Sequence, residues 1–143
     1  MLADILKNLL SDTFVIYFKA HSYHWNVEGP DFQQYHEFLG NFYKSVWNNT
    51  DIIAELIRTL DVYAPVSLGR VMELKTMEES TDVIPNSSTM IKNLYNDNST
   101  YLAALYNAYD SAEKSSEFGI SNKLQDIISE HEKHAWMLRS FTK

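Results

Sequence analysis

Hydrophobic side chains recur at intervals of three and four residues along most of the chain, which is the spacing of one face of an α-helix. The first such stripe predicts a helix over about residues 3–26. The second keeps its period for nearly thirty residues and predicts a helix over about residues 32–60. Gly29 and Pro30 separate the stripes, and Asp31 stands where a capping side chain would begin the second helix. The first half of the chain is therefore predicted to form a helical hairpin.

Two further amphipathic segments occupy the second half of the chain. They predict helices over about residues 87–115 and 121–140, with Asn86 and Ser121 as capping residues. A connection of some two dozen residues precedes them and holds one short helical stretch at about residues 67–74. Two short hairpins joined by a connection long enough to cross a bundle are typical of the ferritin-like four-helix fold. The sequence therefore predicts an all-α, ferritin-like bundle.

The composition agrees with this fold and narrows the chemistry. Residues 1–143 suffice for one domain with one core, and the scarcity of glycine and proline favours long helices. The chain has no cysteine, so any metal must be bound by histidine and carboxylate side chains. There is neither a signal-peptide pattern nor a run of eighteen apolar residues, and we expect a cytoplasmic protein that does not enter a membrane.

The charge distribution bears on possible partners. The formal net charge is −7, and the 12 lysine and arginine residues are scattered along the chain. Tight binding to nucleic acid requires clustered cations that release counterions from the phosphates. We therefore expect no appreciable DNA binding at physiological salt.

Four side chains form a candidate metal set, namely His24, His36, Asp51 and Glu55, because imidazole nitrogen and carboxylate oxygen together suit iron. Taken singly, each is more often a packed or solvated residue. His36 and Asp51 are fifteen residues apart in one predicted helix, or about 22 Å along its axis, so they cannot share a metal within one chain. Two copies of this helix crossing antiparallel about a two-fold axis would carry each His36 to the partner's Asp51 and Glu55.

One flank of the same predicted helix supports such a partner. It carries two large aromatic side chains and a glycine between the candidate ligands, at helical spacing. The line comprises His36, Gly40, Tyr43, Trp47, Asp51 and Ala54.

The spacing of these residues resembles the signature of the Dps family of miniferritins. The matching segments are His24-Trp-Asn-Val-Glu-Gly-Pro-x-Phe-x-x-x-His36-Glu and Asp51-x-x-Ala-Glu55-x-Ile. The intervals of twelve, fifteen and four residues between the candidate ligands all agree with the family. The segment Lys133-His-x-Trp-Met-Leu-Arg139 resembles the family's last helix, so the likeness spans essentially the whole chain.

The resemblance implies a function and an assembly. It implies a dodecameric shell, built from dimers, that oxidises Fe(II) with hydrogen peroxide or dioxygen, stores the Fe(III) and limits oxidative damage, with no organic cofactor. It also implies that His24 and His36 of one subunit face Asp51 and Glu55 of the partner subunit as iron ligands. Trp25 resembles a family tryptophan beside the site. Two roles are open for it: it is an electron donor or radical trap, or it is an aromatic residue packed in the interface.

One position departs from the family pattern. Many members have a further aspartate four residues after the second histidine, where this chain has Gly40. The departure implies that a second iron binds weakly or through water. It leaves open an alternative function, a structural or iron-sequestering shell with weak ferroxidase activity, whereas the charge disfavours DNA compaction.

The predicted last helix carries a second group of possible ligands. His131 and His134, with Glu130 and Glu132 beside them, have a helical spacing that could hold a metal, but they match no ligand pattern of the Dps family. We therefore do not predict a metal site there.

Overall fold

The computed structural model describes residues 1–79 and 83–143, and within them it contains five α-helices and no strand. The helices are α1 (Leu2–Asn26), α2 (Phe32–Thr59), α3 (Leu68–Leu74), α4 (Ser87–Lys114) and α5 (Phe118–Ser140). Four are long and α3 lies in the connection between α2 and α4. The prediction of an all-α, ferritin-like bundle is confirmed.

Contacts between side chains give the directions of the helices. Residues late in α1 meet residues early in α2 and in α4, as shown by the pairs His24–His36, Phe14–Trp47, Lys19–Asp97 and Thr13–Tyr101. Because α2 and α4 both run antiparallel to α1, they run parallel to each other. The connection between them must therefore return along the length of the bundle, as in the ferritin-like topology.

A buried carboxylate on α1 holds this connection in place. The side chain of Asp12, which is almost fully buried, accepts hydrogen bonds from the backbone nitrogens of Thr76 and Met77 at 2.7 and 3.0 Å. It also accepts one from the Thr76 hydroxyl. The backbone N–H groups of Thr76 and Met77, which follow the end of α3, are thus both satisfied by one side chain. Met77 is buried beside them and ties the connection to the core.

The predicted helix starts are right in two cases. Ser67 caps α3 by accepting a hydrogen bond from Arg70 N at 3.1 Å, and Asn86 caps α4 by accepting one from Thr89 N at 2.9 Å. Asp31 precedes α2 as predicted, but its side chain makes no capping bond. Its backbone has a φ of 64°, so the chain enters α2 through a left-handed turn.

The predicted start of the last helix is wrong. The helix α5 begins at Phe118, and Ser121 lies inside its first turn, where its hydroxyl donates to Phe118 O at 3.0 Å. The chain reverses at Ser116, which has a φ of 59°, and Gly119 lies within the first turn of α5. The cap of α5 is therefore Glu117, without a side-chain bond.

The interior between the four long helices is largely aliphatic. Its fully or almost fully buried members include Leu6, Leu9, Ile16, Leu39, Phe42, Ile53, Ile57, Leu94, Tyr101 and Leu105. Within residues 1–79 and 83–143, none of the helices combines the length and apolar character that a membrane span needs.

Candidate metal centre

The end of α1 and the start of α2 are joined by two histidines. His24 and His36 are half-buried, and their rings stack with centroids 3.8 Å apart and planes 13° from parallel. His24 Nδ1 lies 2.6 Å from the backbone oxygen of His36, and His36 Nδ1 lies 2.8 Å from the backbone oxygen of His24. Each histidine therefore fixes the ring of the other.

These two hydrogen bonds determine where the ring protons lie. A backbone carbonyl can only accept, so Nδ1 must carry the hydrogen in both rings. In the neutral imidazole, Nε2 then keeps its lone pair, and neither Nε2 has a hydrogen-bond partner among the described residues. Metal-binding histidines are commonly oriented in this way, with the second nitrogen donating to a carbonyl. Both rings are thus prepared to bind a metal through Nε2.

Gly40 makes room for this arrangement. A Cβ atom at position 40 would lie 3.0 Å from His24 Cε1 and 3.2 Å from His24 Nδ1, closer than ordinary packing allows. The glycine is buried beneath the His24 ring of its own chain. The sequence predicts that Gly40 lies on a flank facing a partner; the structure shows that it faces α1 instead.

A row of aromatic side chains continues from the histidines along α1 and α2. His21 stacks on Tyr43, with centroids 3.8 Å apart, and its Nδ1 lies 2.7 Å from the Tyr17 hydroxyl. Burial and the neighbouring His24 lower the pKa of His21, whereas burial and the neighbouring Tyr43 raise the pKa of Tyr17. These shifts favour the neutral forms, so the row is an uncharged support behind His24.

Trp25 lies on the outer side of this row. Its ring is 57% exposed and contacts His21, with centroids 4.3 Å apart, and Phe18, with centroids 6.0 Å apart. No ring contact between Trp25 and His24 occurs among the described residues. Trp25 is therefore connected to the histidine pair through His21.

The carboxylates expected at the site lie elsewhere on α2. Asp51 and Glu55 are exposed, and neither makes an ion pair or a side-chain hydrogen bond within residues 1–79 and 83–143. No group of three possible ligands containing them or the two histidines forms in that part of the single chain. The structure thus brings His24 and His36 together and leaves Asp51 and Glu55 apart.

An exposed apolar surface lies between the histidines and the carboxylates. Phe18 is 52% exposed and Trp47 is 46% exposed, and the Trp47 ring packs edge-on against Phe14. A cavity of about 380 Å³ opens beside these aromatic residues. Large exposed apolar patches mark interaction sites, so this surface is available for a second protein chain.

One grouping of possible metal ligands, on α5, is not among those that the sequence predicts. The sequence predicts no metal site on the last helix, but a possible ligand atom from each of Glu130, His131 and His134 lies within 4.8 Å of the other two. The signal was present in the sequence, because His131 falls on the inward face of its helix and the others lie one and three residues away.

Comparisons with known proteins agree with this fold. Residues 3–143 match the ferritin-like domain family. An uncharacterised low-temperature-induced protein of Nostoc is 33% identical over 96% of this chain and 78% of its own. The DNA protection during starvation protein of Brevibacillus brevis is 28% identical over 99% of this chain and 94% of its own.

A solved structure gives the same result in three dimensions. The Dps protein of Vibrio cholerae, described as a member of the ferritin-like diiron-carboxylate proteins, superposes with a TM-score of 0.93. It is 30% identical, and the superposition covers 99% of this chain and 89% of that one. The chain belongs to the ferritin-like family and, within it, to the Dps miniferritins.

Proposed function

We propose that the protein binds Fe(II) at sites shared between two subunits, oxidises it and stores the product. Membership of the Dps miniferritins supports a general role in iron storage and oxidative protection. The observation that carries the specific proposal is the histidine pair, in which both Nδ1 atoms are committed and both Nε2 atoms are left for a metal.

The partner subunit supplies the rest of the proposed ligand set. Asp51 and Glu55 lie on the same helix as His36, with Asp51 about 22 Å further along its axis, too far to join it in one chain. A two-fold axis through the exposed aromatic surface of α2 would place them opposite the partner's histidines. Each dimer then contains two equivalent sites.

The charges of this ligand set suit the reaction. Two neutral imidazoles and two carboxylates balance the charge of Fe(II) and leave coordination positions open for water or an oxidant. Hydrogen peroxide accepts two electrons, one from each of two Fe(II) ions, and takes up two protons to give two water molecules. The products are two Fe(III) ions, which leave the site for storage.

We further propose that the dimers assemble into a dodecameric shell that encloses the mineral. Trp25 is proposed as an electron donor when a site holds a single iron and peroxide still needs a second electron. Its contact with His21, which in turn lies beside His24, provides a path of ring contacts.

Complementation between two inactive variants tests the shared site. We expect His36→Ala and Glu55→Ala shells to oxidise Fe(II) poorly on their own. When the two chains are assembled together at random, half of the dimers are mixed, and each mixed dimer keeps one intact site. The mixed shell should recover about a quarter of the parent rate per chain.

A second mixture is the matched control. His24→Ala combined with His36→Ala damages the histidine side of both sites in every mixed dimer, so no activity should return. Mass spectrometry of the shells establishes that mixing has occurred. The shared site is refuted if the first mixture stays inactive despite mixing, or if the control mixture recovers as well.

A sequestering shell is the second candidate function, and Gly40 favours it because the position offers no carboxylate for another iron. Anaerobic titration with Fe(II), followed by peroxide, separates the two functions. Rapid appearance of Fe(III) absorbance with two Fe(II) consumed per peroxide supports the ferroxidase. Binding of Fe(II) without rapid oxidation supports sequestration.

A further inference from the structure

A second cluster of possible metal ligands lies inside the bundle, on α5. Glu130, His131 and His134 each place one possible ligand atom within 4.8 Å of the other two, and no other such group occurs in the described part of the chain. The histidines are buried and Glu130 is 34% exposed. These three residues belong to one chain and take no part in the proposed shared site.

His131 has a buried nitrogen with no partner. The orientation of the Asn98 amide is fixed, because its Nδ2 donates a hydrogen bond to the His131 backbone oxygen at 2.9 Å. The Asn98 Oδ1 then faces His131 Nδ1 at 2.7 Å, so Nδ1 must carry the hydrogen. The lone pair remains on Nε2, which is fully buried and makes no hydrogen bond to any of residues 1–79 and 83–143. Buried polar atoms of this kind usually have a partner, and a metal ion would provide one.

The protonation of His131 fits a metal ligand. Burial, reinforced by the nearby His134, lowers the pKa of His131 to about 3. The ring is therefore neutral at physiological pH, which is the form that binds metals.

The other two side chains are held next to each other by α2. Glu130 accepts hydrogen bonds from the Ser45 hydroxyl and from Asn49 Nδ2, and His134 Nε2 lies 3.2 Å from Ser45 Oγ. Burial would raise the pKa of Glu130, but hydrogen bonds with His134 and Ser45, together with the nearby histidines, outweigh it and lower the pKa. The carboxylate is therefore ionised and ready to bind a cation.

The dimensions of the cluster suit a first-row transition metal. Glu130 Oε1 lies 3.6 Å from His134 Nε2, and two ligands on a tetrahedral Zn²⁺ are separated by about 3.4 Å. Without a metal, His134 Nε2 donates to Ser45 Oγ, because the Ser45 hydrogen goes to Glu130; a bound ion would replace the Nε2 hydrogen and leave Nδ1 as the protonated nitrogen. A cavity of about 240 Å³ borders Ser45, Glu130 and His134 and provides room for a water molecule as a further ligand. The possible ligand atoms of the three residues lie within 4.8 Å of one another, and a shift of the partly exposed Glu130 side chain would bring its carboxylate closer to the histidine nitrogens.

We propose that Glu130, His131 and His134 form a second metal site, which binds a divalent transition-metal ion such as Zn²⁺ or Co²⁺ within a single subunit. Two nitrogen ligands and one carboxylate leave the site open toward the cavity. The ion would complete the coordination of the unpartnered His131 and connect α5 to the residues of α2 that hold Glu130. This site goes beyond the proposed iron oxidation and does not depend on it.

Binding of Co²⁺ to the assembled protein tests the proposal. The parent for this experiment is the His24→Ala/His36→Ala double variant, which removes the histidines of the shared site. We expect about one Co²⁺ to bind per chain, with the visible absorption bands of a Co²⁺ ion that has few ligands. Adding Glu130→Gln or His134→Asn should weaken Co²⁺ binding at least ten-fold. Zn²⁺ should raise the thermal unfolding midpoint of the double variant and should not raise that of the two triple variants.

A matched control is available on the same helix. Glu132→Gln makes the same change of charge two residues from Glu130, at an exposed side chain that accepts a hydrogen bond from the Tyr106 hydroxyl. Co²⁺ binding should be unchanged by it. Circular dichroism and native mass establish that every variant is folded and assembled. The proposal is overturned if the double variant binds no Co²⁺, or if the Glu130 and His134 substitutions leave binding as strong as the control does.

Discussion

His24 and His36 hold each other in position, because the ring of each donates a hydrogen bond to the backbone oxygen of the other. The pair joins the last turn of α1 to the first turns of α2. Both rings are therefore oriented before a metal arrives, and little side-chain freedom is lost when it binds. Ligands fixed by neighbouring groups in this way bind metal more tightly than free ones.

Two substitutions of His36 separate its hydrogen bond from its role as a ligand. In His36→Asn the amide nitrogen replaces Nδ1 and can still donate to His24 O, but no atom replaces Nε2. In His36→Gln the amide group reaches the region of Nε2 and can offer a weak oxygen ligand. We expect the Fe(II) oxidation rate to fall at least ten-fold in the Asn variant and less in the Gln variant, measured by stopped-flow absorbance.

Thermal unfolding provides the control for this pair. The Asn variant should unfold close to the parent midpoint, since it keeps the hydrogen bond. An Asn variant with the parent oxidation rate would show that His36 Nε2 is not a ligand.

Gly40 is expected to be intolerant of even a methyl group. In Gly40→Ala the new Cβ would press against His24 Cε1 and Nδ1, turn the ring and lengthen its bond to His36 O. Alanine favours a helix over glycine by about 1 kcal/mol, so a loss of activity would not come from weaker helix formation. We expect about ten-fold weaker Fe(II) binding, measured by anaerobic titration.

The matched control is Gly119→Ala, because a Cβ at that position meets no atom within 4 Å. That variant should bind Fe(II) like the parent. Equal binding by both alanine variants would show that the close approach of His24 to α2 has no functional importance.

The amino-acid sequence predicts the helices well and their detailed contacts poorly. Hydrophobic spacing identifies the four long helices, because each buries one face along most of its length. The start of α5 is not predicted correctly because the chain turns at Ser116, whose side chain gives no sign of a left-handed backbone. The turn is closed by local backbone hydrogen bonds, from Ser116 N to Glu113 O at 3.1 Å and from Glu117 N to Ala112 O at 2.9 Å, with serine at a position that glycine usually occupies.

For the candidate site, too, the sequence predicts the residues well and their contacts poorly. The types and spacing of His24, His36, Asp51 and Glu55 identify possible ligands and predict that one chain cannot unite them. The stacking of the two histidines and the close contact at Gly40 depend on the approach of α1 to α2. No spacing within either helix carries that information.

The buried Asp12 should be important for the stability of the connection between α2 and α4. Asp12→Ala leaves the backbone nitrogens of Thr76 and Met77 without their acceptor; Thr76 is exposed and can turn to water, whereas the buried Met77 donor costs about 1–3 kcal/mol. We expect the thermal unfolding midpoint to fall by at least about 4 °C at fixed protein concentration. Asp4→Ala, at an exposed aspartate on the same helix, is the control and should shift it much less. A similar small shift for both variants would contradict this role.

Trp47 should be required for pairing of subunits and therefore for activity. Its ring is nearly half exposed on the α2 surface between the histidines and the carboxylates, and burial of such a ring against a second chain would exclude water from the shared site. In Trp47→Glu a charge would have to be buried in that interface, so the native mass should fall below that of the parent assembly and Fe(II) oxidation should be lost with it. Trp47→Phe keeps an aromatic ring and should retain assembly with most of the oxidation rate. If the Glu variant assembled and oxidised Fe(II) normally, the interface would have to lie on another surface, and the proposed route from His36 to the partner's carboxylates would be wrong.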